Sequence, residues 1–270
     1  RDQPRSRGLG DVYKRQILVF MEIYNPFSLI GKTILVTGAS SGIGRSIAIE
    51  ASKMGATLII TGRDKERLNE TYTSLMGNNH LQFIADLNES EAVDNLVDSL
   101  PSINGVVLAL GIGDWLPFQF VKKERLYRIF ETNFFAPVIL IQKLLKGRKV
   151  RKGSSIVFLS SIDGPVTAHI GNSMYAASKG AVSAMVKGMA VDLASKEIRV
   201  NALLPGMIET PLIHCGDITE EQLKEDKKLY PLRRYGKPEE IAYAAIYLLS
   251  NASSFTTGAN LVIDGGFTLL

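Results

Sequence analysis

Residues 33–44 read TILVTGASSGIG. Thr33–Thr37 is a run of β-branched and apolar residues that favours a strand. Gly38, Gly42 and Gly44 follow, and then an amphipathic stretch that reads as a helix to about Met54. A strand, a Gly-rich turn and a helix in that order let backbone N–H groups approach a pyrophosphate at a helix N-terminus. The spacing is Gly-x3-Gly-x-Gly, not the Gly-x-Gly-x2-Gly of the commoner dinucleotide turn. Ser40, Ser41 and Ile43 sit between these glycines and belong to the same candidate cofactor site.

Outward from this turn, short apolar runs alternate with longer amphipathic stretches. Strands are predicted at Thr57–Thr61, Leu81–Ala85, Val106–Leu110, Ser155–Leu159, Arg199–Leu203 and Asn260–Ile263. Helices are predicted at Asp64–Met76, Asn88–Leu100, Lys122–Leu145, Met174–Ala194 and Pro238–Leu249. Strands that are apolar nearly throughout, each followed by a helix, indicate a mostly parallel seven-stranded sheet with helices on both faces. The expectation is one doubly wound α/β domain over residues 21–270, whose ligand binds beyond the carboxyl ends of the strands.

Composition narrows the function classes. The formal net charge is +4, but residues 1–16 alone carry +3, leaving 26 basic against 25 acidic residues in the rest. No basic stripe with interleaved aromatics remains, so nucleic-acid binding is not expected. The segment Asp11–Gln16, DVYKRQ, is what the codons of a transposon end used in sequencing libraries would encode. Residues 1–20 are therefore expected to be an artefactual or disordered extension, with Met21 as the natural start. Ile17–Phe20 is too short for a signal sequence, and no later run approaches membrane-spanning length. Cys215 is alone and cannot form an internal disulfide. With His80, His169 and His214 widely spaced, it suggests no metal site. A soluble, cytoplasmic protein is expected.

The chemistry is read from three places. An acidic residue after the second strand would bond a ribose 2′-hydroxyl and repel a 2′-phosphate. Here the chain has Gly62-Arg63, and Arg45 follows the last glycine of the turn. A guanidinium grips a phosphate through a charge-assisted fork, so NADP(H) is the preferred cofactor, with NAD(H) an alternative. Asp64 beside Arg63 is the feature that speaks against this. Farther on, Tyr175 and Lys179 stand at i and i+4 on one helix face. An ammonium there would draw the phenol pKa toward neutrality, which suits an acid/base. Ser160 and Ser161 end the strand just upstream, and Asn133 lies in the long helical region.

These motifs, with Ala85-Asp86-Leu87, Gly164, NALLPG at Asn201–Gly206 and IDGG at Ile263–Gly266, resemble the short-chain dehydrogenase/reductase family over residues 31–267. The likeness is to bacterial 3-oxoacyl-[acyl-carrier-protein] reductases and related small-alcohol or sterol dehydrogenases. The resemblance implies a Rossmann-type domain that interconverts a carbonyl and a secondary alcohol. In that reading Tyr175 is the proton donor, and Ser161, rather than Ser160, polarises the carbonyl oxygen. Lys179 assists Tyr175 and binds the nicotinamide ribose, and Asn133 holds a relay water. Asp86 and Leu87 would contact the adenine, and Gly111 the cofactor loop. Pro205, Gly206, Ile208 and Thr210 would line the nicotinamide.

Residues 207–235 would form a small substrate lid, which also reads as a plain surface helix. Gly113, Trp115, Leu116, Phe118, His169, Ile170 and Met207 are candidates for an apolar substrate pocket. The helix Met174–Ala194 and the C-terminus would be surfaces of a homotetramer or homodimer. Two departures stand out: Ala109-Leu110-Gly111 replaces the usual Asn-Ala-Gly, and Ser161 and Tyr175 are one residue farther apart than the family pattern. Three functions remain in play: a 3-oxoacyl thioester reductase, a hydroxysteroid or sugar-alcohol dehydrogenase, and a catalytically silent NADP(H)-binding sensor or scaffold.

Overall fold

The computed structural model describes residues 24–211 and 219–270. The expectations for residues 1–20, His214 and Cys215, and part of the 207–235 segment, lie outside the described residues.

Strand β1 (Thr33–Thr37) leads through the Gly-rich turn to α1 (Gly42–Lys53). Then follow β2 (Thr57–Gly62), α2 (Lys65–Thr73), β3 (Leu81–Ile84), α3 (Ser90–Ser99) and β4 (Ile103–Leu108). The second half runs α4 (Lys123–Phe130), α5 (Ala136–Lys146), β5 (Val150–Leu159), α6 (Ser173–Leu193) and β6 (Arg199–Pro205). It ends with α7 (Glu220–Lys227), α8 (Pro238–Leu249) and β7 (Asn260–Ile263). The seven strands form one sheet in the order β3-β2-β1-β4-β5-β6-β7, and every neighbouring pair is parallel. Chain order reverses between β1 and β4, and that crevice is where such a sheet binds its ligand.

The strand period of two explains the two cores. Leu35, Ile59, Val106, Ile156 and Phe158 face one side and pack on α3, α5 and α6. Ile34, Val36, Leu58, Ile60, Val107 and Val157 face the other and pack on α1, α2 and α8. Strands buried on both faces are apolar throughout, which is why their signal in the sequence is continuous. A smaller cluster of Leu223, Tyr230 and Tyr235, joined by Met207 and Phe267, packs the described part of the 207–235 segment against the C-terminal end.

One element differs from its prediction in a way that bears on the site. The helical region expected at Lys122–Leu145 is two α-helices separated by a π-helical turn at Glu131–Phe135. Pro137 has no N–H to close the α-helical bond onto the Asn133 carbonyl, and the chain accommodates the break by widening one turn. Strand β5 also begins five residues earlier than expected, with its added residues Arg151, Lys152 and Gly153 exposed. Strand β4 ends at Leu108, two residues sooner, which leaves Ala109–Gly111 as loop.

Candidate active site

The cofactor end is built from close backbone approaches. A Cβ on Gly44 would lie 2.3 Å from the Gly38 carbonyl oxygen, and one on Gly38 (φ +64°) would lie 2.8 Å from the Ala109 oxygen. These contacts press α1 against β1 and the end of β4, and no side chain fits between them. Ser41 caps α1 with an extended backbone but makes no side-chain capping bond, and the first turn holds no acidic residue. The N-terminal N–H groups and the positive end of the helix dipole are thus left for an anion.

A cavity of about 680 Å³ opens over this turn, within the range of small-molecule and cofactor sites. Its wall includes Gly38, Ser40, Ser41, Gly42, Ile43 and Gly44 from the turn, and Arg63, Asp86, Leu87, Gly111 and Thr210 from other loops. The Ser40 hydroxyl is buried with no hydrogen-bond partner among the described residues. An unsatisfied buried hydroxyl beside an uncapped helix N-terminus is what a bound phosphate would satisfy. The residues present therefore fit a dinucleotide.

The two arginines singled out from the sequence separate in the structure. Arg63 is largely exposed on the cavity rim, 3.5 Å from Asp86. Arg45 is not on the wall. Its guanidinium donates to the Ser40 and Arg67 carbonyls and to Thr71 and Glu70, so it ties α1 to α2. Arg45 is thus engaged through Nε and Nη2 in holding α1 to α2, away from the cavity wall where the expectation put it.

Arg67, unread in the sequence, lines the cavity instead. The available signal was its position one helical turn after Arg63. Asp64 caps α2 by accepting from the Arg67 N–H at 3.0 Å, and pairs with the Arg67 side chain at 3.4 Å. Pro205, Gly206 and Ile208 also lie off the cavity wall, with Ile208 buried in the core and Gly206 against Asp264.

At the inner end of the cavity, a Cβ on Gly111 would lie 3.3 Å from Lys179 Nζ and 3.5 Å from Asn133 Oδ1. Gly111 thus joins the cofactor cavity to the reaction centre. Lys179, on α6, is buried and donates to the Leu159 carbonyl at 2.8 Å. Burial lowers its pKa to about 8. Tyr175, one turn earlier, has its ring centroid 5.7 Å from Lys179 Nζ. Burial pushes the Tyr175 phenol up to about 12; the Ser161 hydroxyl, within hydrogen-bonding reach, lowers it, and the Asp163 carboxylate raises it. The Lys179 ammonium is turned to a backbone carbonyl, and burial of Tyr175 favours the proton-bearing form of its phenol.

The two serines are also distinct. Ser160 Oγ bonds the Lys179 carbonyl and Ser183, so it fastens β5 to α6. Ser161 Oγ accepts from the Asp163 N–H at 3.1 Å and faces Tyr175. The Asn133 side chain is taken up by both polar groups of Ile112 and by Ser178. It clamps the loop after β4 to α6, and the Asn133 backbone carbonyl is the one to which Pro137 cannot donate.

The expected apolar pocket is not one enclosed unit. Ile170 and Phe118 are almost wholly exposed, and Trp115 folds over Gly113. The two loops do meet, through the Leu116 N–H and the Gly171 carbonyl at 2.8 Å. Met207 instead packs with Tyr230 and Phe267. A buried carboxylate, Asp114, missed in the sequence, holds the β4 loop to α4 by accepting from Arg125 and Arg128.

Among the described residues no helix is long and apolar enough to cross a membrane. The profile of the family described as Enoyl-(Acyl carrier protein) reductase matches residues 38–268. The chain is 32% identical over 243 residues to the 3-oxoacyl-[acyl-carrier-protein] reductase FabG of Rickettsia prowazekii, covering 90% of this chain and 99% of that one. It is 36% identical over 263 residues to a glucose and ribitol dehydrogenase of Daucus carota, covering 90% of this chain and 87% of that one. A crystal structure assigned to an NAD(P) dependent gluconate 5-dehydrogenase from Beutenbergia cavernae, with NADP at low occupancy, is 30% identical. It covers 91% of this chain and 100% of that one, with a TM-score of 0.83. On these likenesses and on the sheet order, the Gly-rich turn and the Ser161–Tyr175–Lys179 cluster, the chain belongs to the short-chain dehydrogenase/reductase family and is an oxidoreductase.

Proposed function

We propose that this protein is an NADP(H)-dependent reductase of ketones that carry a second oxygen near the reacting carbonyl, with 3-oxoacyl thioesters as the first class. The observation that carries the reading is one continuous site. A phosphate cradle with Arg63 and Arg67 at its outer rim runs inward to Gly111, against Lys179. When bound, NADPH supplies the hydride. Ser161 Oγ hydrogen-bonds the carbonyl oxygen, and Tyr175, kept protonated by burial, gives that oxygen its proton. Lys179 is close enough to Gly111 to meet a ribose placed there.

A keto-polyol is the second reading, favoured by the polar pair Asp163–His169 beside Ser161. Exposed Tyr127, Phe135 and Ile139 on and beside α4 and α5 support self-association as a dimer or tetramer. The test of the cofactor assignment is oxidation of NADPH and NADH against a panel of 3-oxoacyl thioesters and keto-sugars. Wild type is expected to prefer NADPH, and Arg63→Asp to move the preference toward NADH by about tenfold or more. An unchanged preference refutes the role of Arg63.

A further inference from the structure

Beside Ser161 lies a carboxyl–imidazole pair that carbonyl reduction by Ser161, Tyr175 and Lys179 does not use. Asp163 is 8% exposed. Its backbone N–H donates to Ser161 Oγ, one carboxylate oxygen meets His169 Nδ1 at 2.7 Å, and the other accepts from Asn172 Nδ2. Taking a carboxylate out of water is costly, and neutral groups would hold a loop without that cost. The side chain of His169 is 48% exposed. Its ring lies 5.7 Å from Phe267, which stacks at 4.8 Å on Tyr230 of the 207–235 segment. The imidazole therefore links Asp163, beside Ser161, to the aromatic pair Phe267–Tyr230. With Nδ1 turned to the carboxylate, the neutral ring carries its proton on Nδ1 and presents Nε2 as an acceptor. Protonated, the same Nε2 donates. The neutral ring can therefore accept from a hydroxyl, and the protonated ring can donate to a carbonyl or hydroxyl oxygen.

We propose that His169, oriented by Asp163, is a specificity-determining residue that binds a second oxygen of the substrate, one or two carbons from the reacting carbonyl. The inference rests on the carbonyl-reductase reading above and names what that site selects. Two sources carry this oxygen: the ester or thioester carbonyl of a 3-oxoacyl compound, and the hydroxyl of a keto-polyol. The extra residue between Ser161 and Tyr175 lies in the loop that carries Asp163 and His169.

The experiment measures kcat/KM with NADPH for butan-2-one, ethyl acetoacetate and 3-hydroxybutan-2-one, in wild type, His169→Phe and His169→Gln. Each ratio to butan-2-one is internal to one enzyme preparation, so it survives partial loss of folded protein. In His169→Phe the ratio for at least one oxygenated ketone is expected to fall about tenfold, the worth of one hydrogen bond. His169→Gln, which keeps a polar amide, is expected to hold that ratio within about threefold of wild type. A fall confined to the ester assigns the 3-oxoacyl class, and one confined to the hydroxyketone assigns the polyol class. Equal losses for all three ketones, or none, overturn the inference in favour of a loop-holding role, while continued NADPH-dependent reduction leaves the reductase reading intact. Absence of turnover of all three ketones by wild type would instead remove that reading and the inference with it.

Discussion

Replacing Lys179 by methionine should stabilise the fold at neutral pH and weaken it at alkaline pH. Lys179 is 4% exposed, and burial lowers its pKa from 10.5 to about 8. The folded chain thus releases the Lys179 proton more readily than the unfolded chain does. Holding the ammonium in the fold at pH 7 costs roughly 3 kcal/mol, at about 1.4 kcal/mol per pH unit between the two values. The sign follows from proton counting. Between about pH 8 and 10.5 the unfolded chain binds more protons, so stability from this group rises with pH and the cost shrinks to about 1 kcal/mol at pH 10. Methionine has similar length and no charge, but it leaves the Leu159 carbonyl without the 2.8 Å bond from Nζ, a loss of about 1–2 kcal/mol. Lys179→Met should therefore be more stable than wild type by about 1–2 kcal/mol at pH 7, and less stable by under about 1 kcal/mol at pH 10. Urea denaturation of both proteins at the two pH values gives the difference directly, and titrations common to both cancel. A difference that keeps the same sign and size at pH 7 and pH 10 would refute the burial argument. The same variant should lose carbonyl reduction, so the group that costs stability is one that activity needs.

Two further outcomes follow from packing and charge. Gly44→Ala gains about 1 kcal/mol in helix propensity, but its Cβ would meet the Gly38 carbonyl oxygen at 2.3 Å, so overpacking of about 1–3 kcal/mol should win. Urea denaturation should show net destabilisation, and NADPH titration by fluorescence a weaker Kd; a variant at least as stable as wild type would show that the turn relaxes freely. Asp114 is held below the usual carboxylate range, chiefly by its hydrogen bond to Arg125, against a desolvation cost that raises it. Its contribution is present above the unfolded carboxylate pKa and lost as pH falls through the lower folded value. Asp114→Asn should thus cost about 2 kcal/mol at pH 7 and remove part of the acid sensitivity seen in denaturation between neutral and acidic pH. An unchanged acid limb would place the sensitivity elsewhere.

What the sequence disclosed was governed by local pattern. The continuous apolar strands, the Gly-rich turn and the Tyr175–Lys179 spacing are each set by neighbours a few residues away, and they were legible. Partnerships across the chain were not. Arg45 reads as a free cation, yet Glu70 and Thr71, on a different helix, take it up. Asp114, Asp163 and His169 sit in loops whose sequence has no period, so nothing local marked the two carboxylates as buried or the imidazole as the partner of Asp163. The helix spacing of Tyr175 and Lys179 likewise shows the pair but not the burial that raises the phenol pKa. Even the break in the helical region depended on one residue, Pro137, whose missing N–H is visible in the sequence but whose consequence is a widened turn.

The strand order also bears on how the chain is made. β2 and β3 extend the sheet on one side of β1, and β4, β5, β6 and β7 extend it in turn on the other. No later strand has to be inserted between two that are already paired. Each strand, as it emerges during synthesis, can therefore join an open edge of what exists. The longest wait at the centre is for β4, whose Leu108 pairs with Thr37. At about 5–20 residues per second, that is a delay of roughly 4–14 s for the nascent chain. During it, one edge of β1 has its backbone N–H and C=O groups unpaired, and a chaperone or a pause placed before β4 would act on that exposed edge.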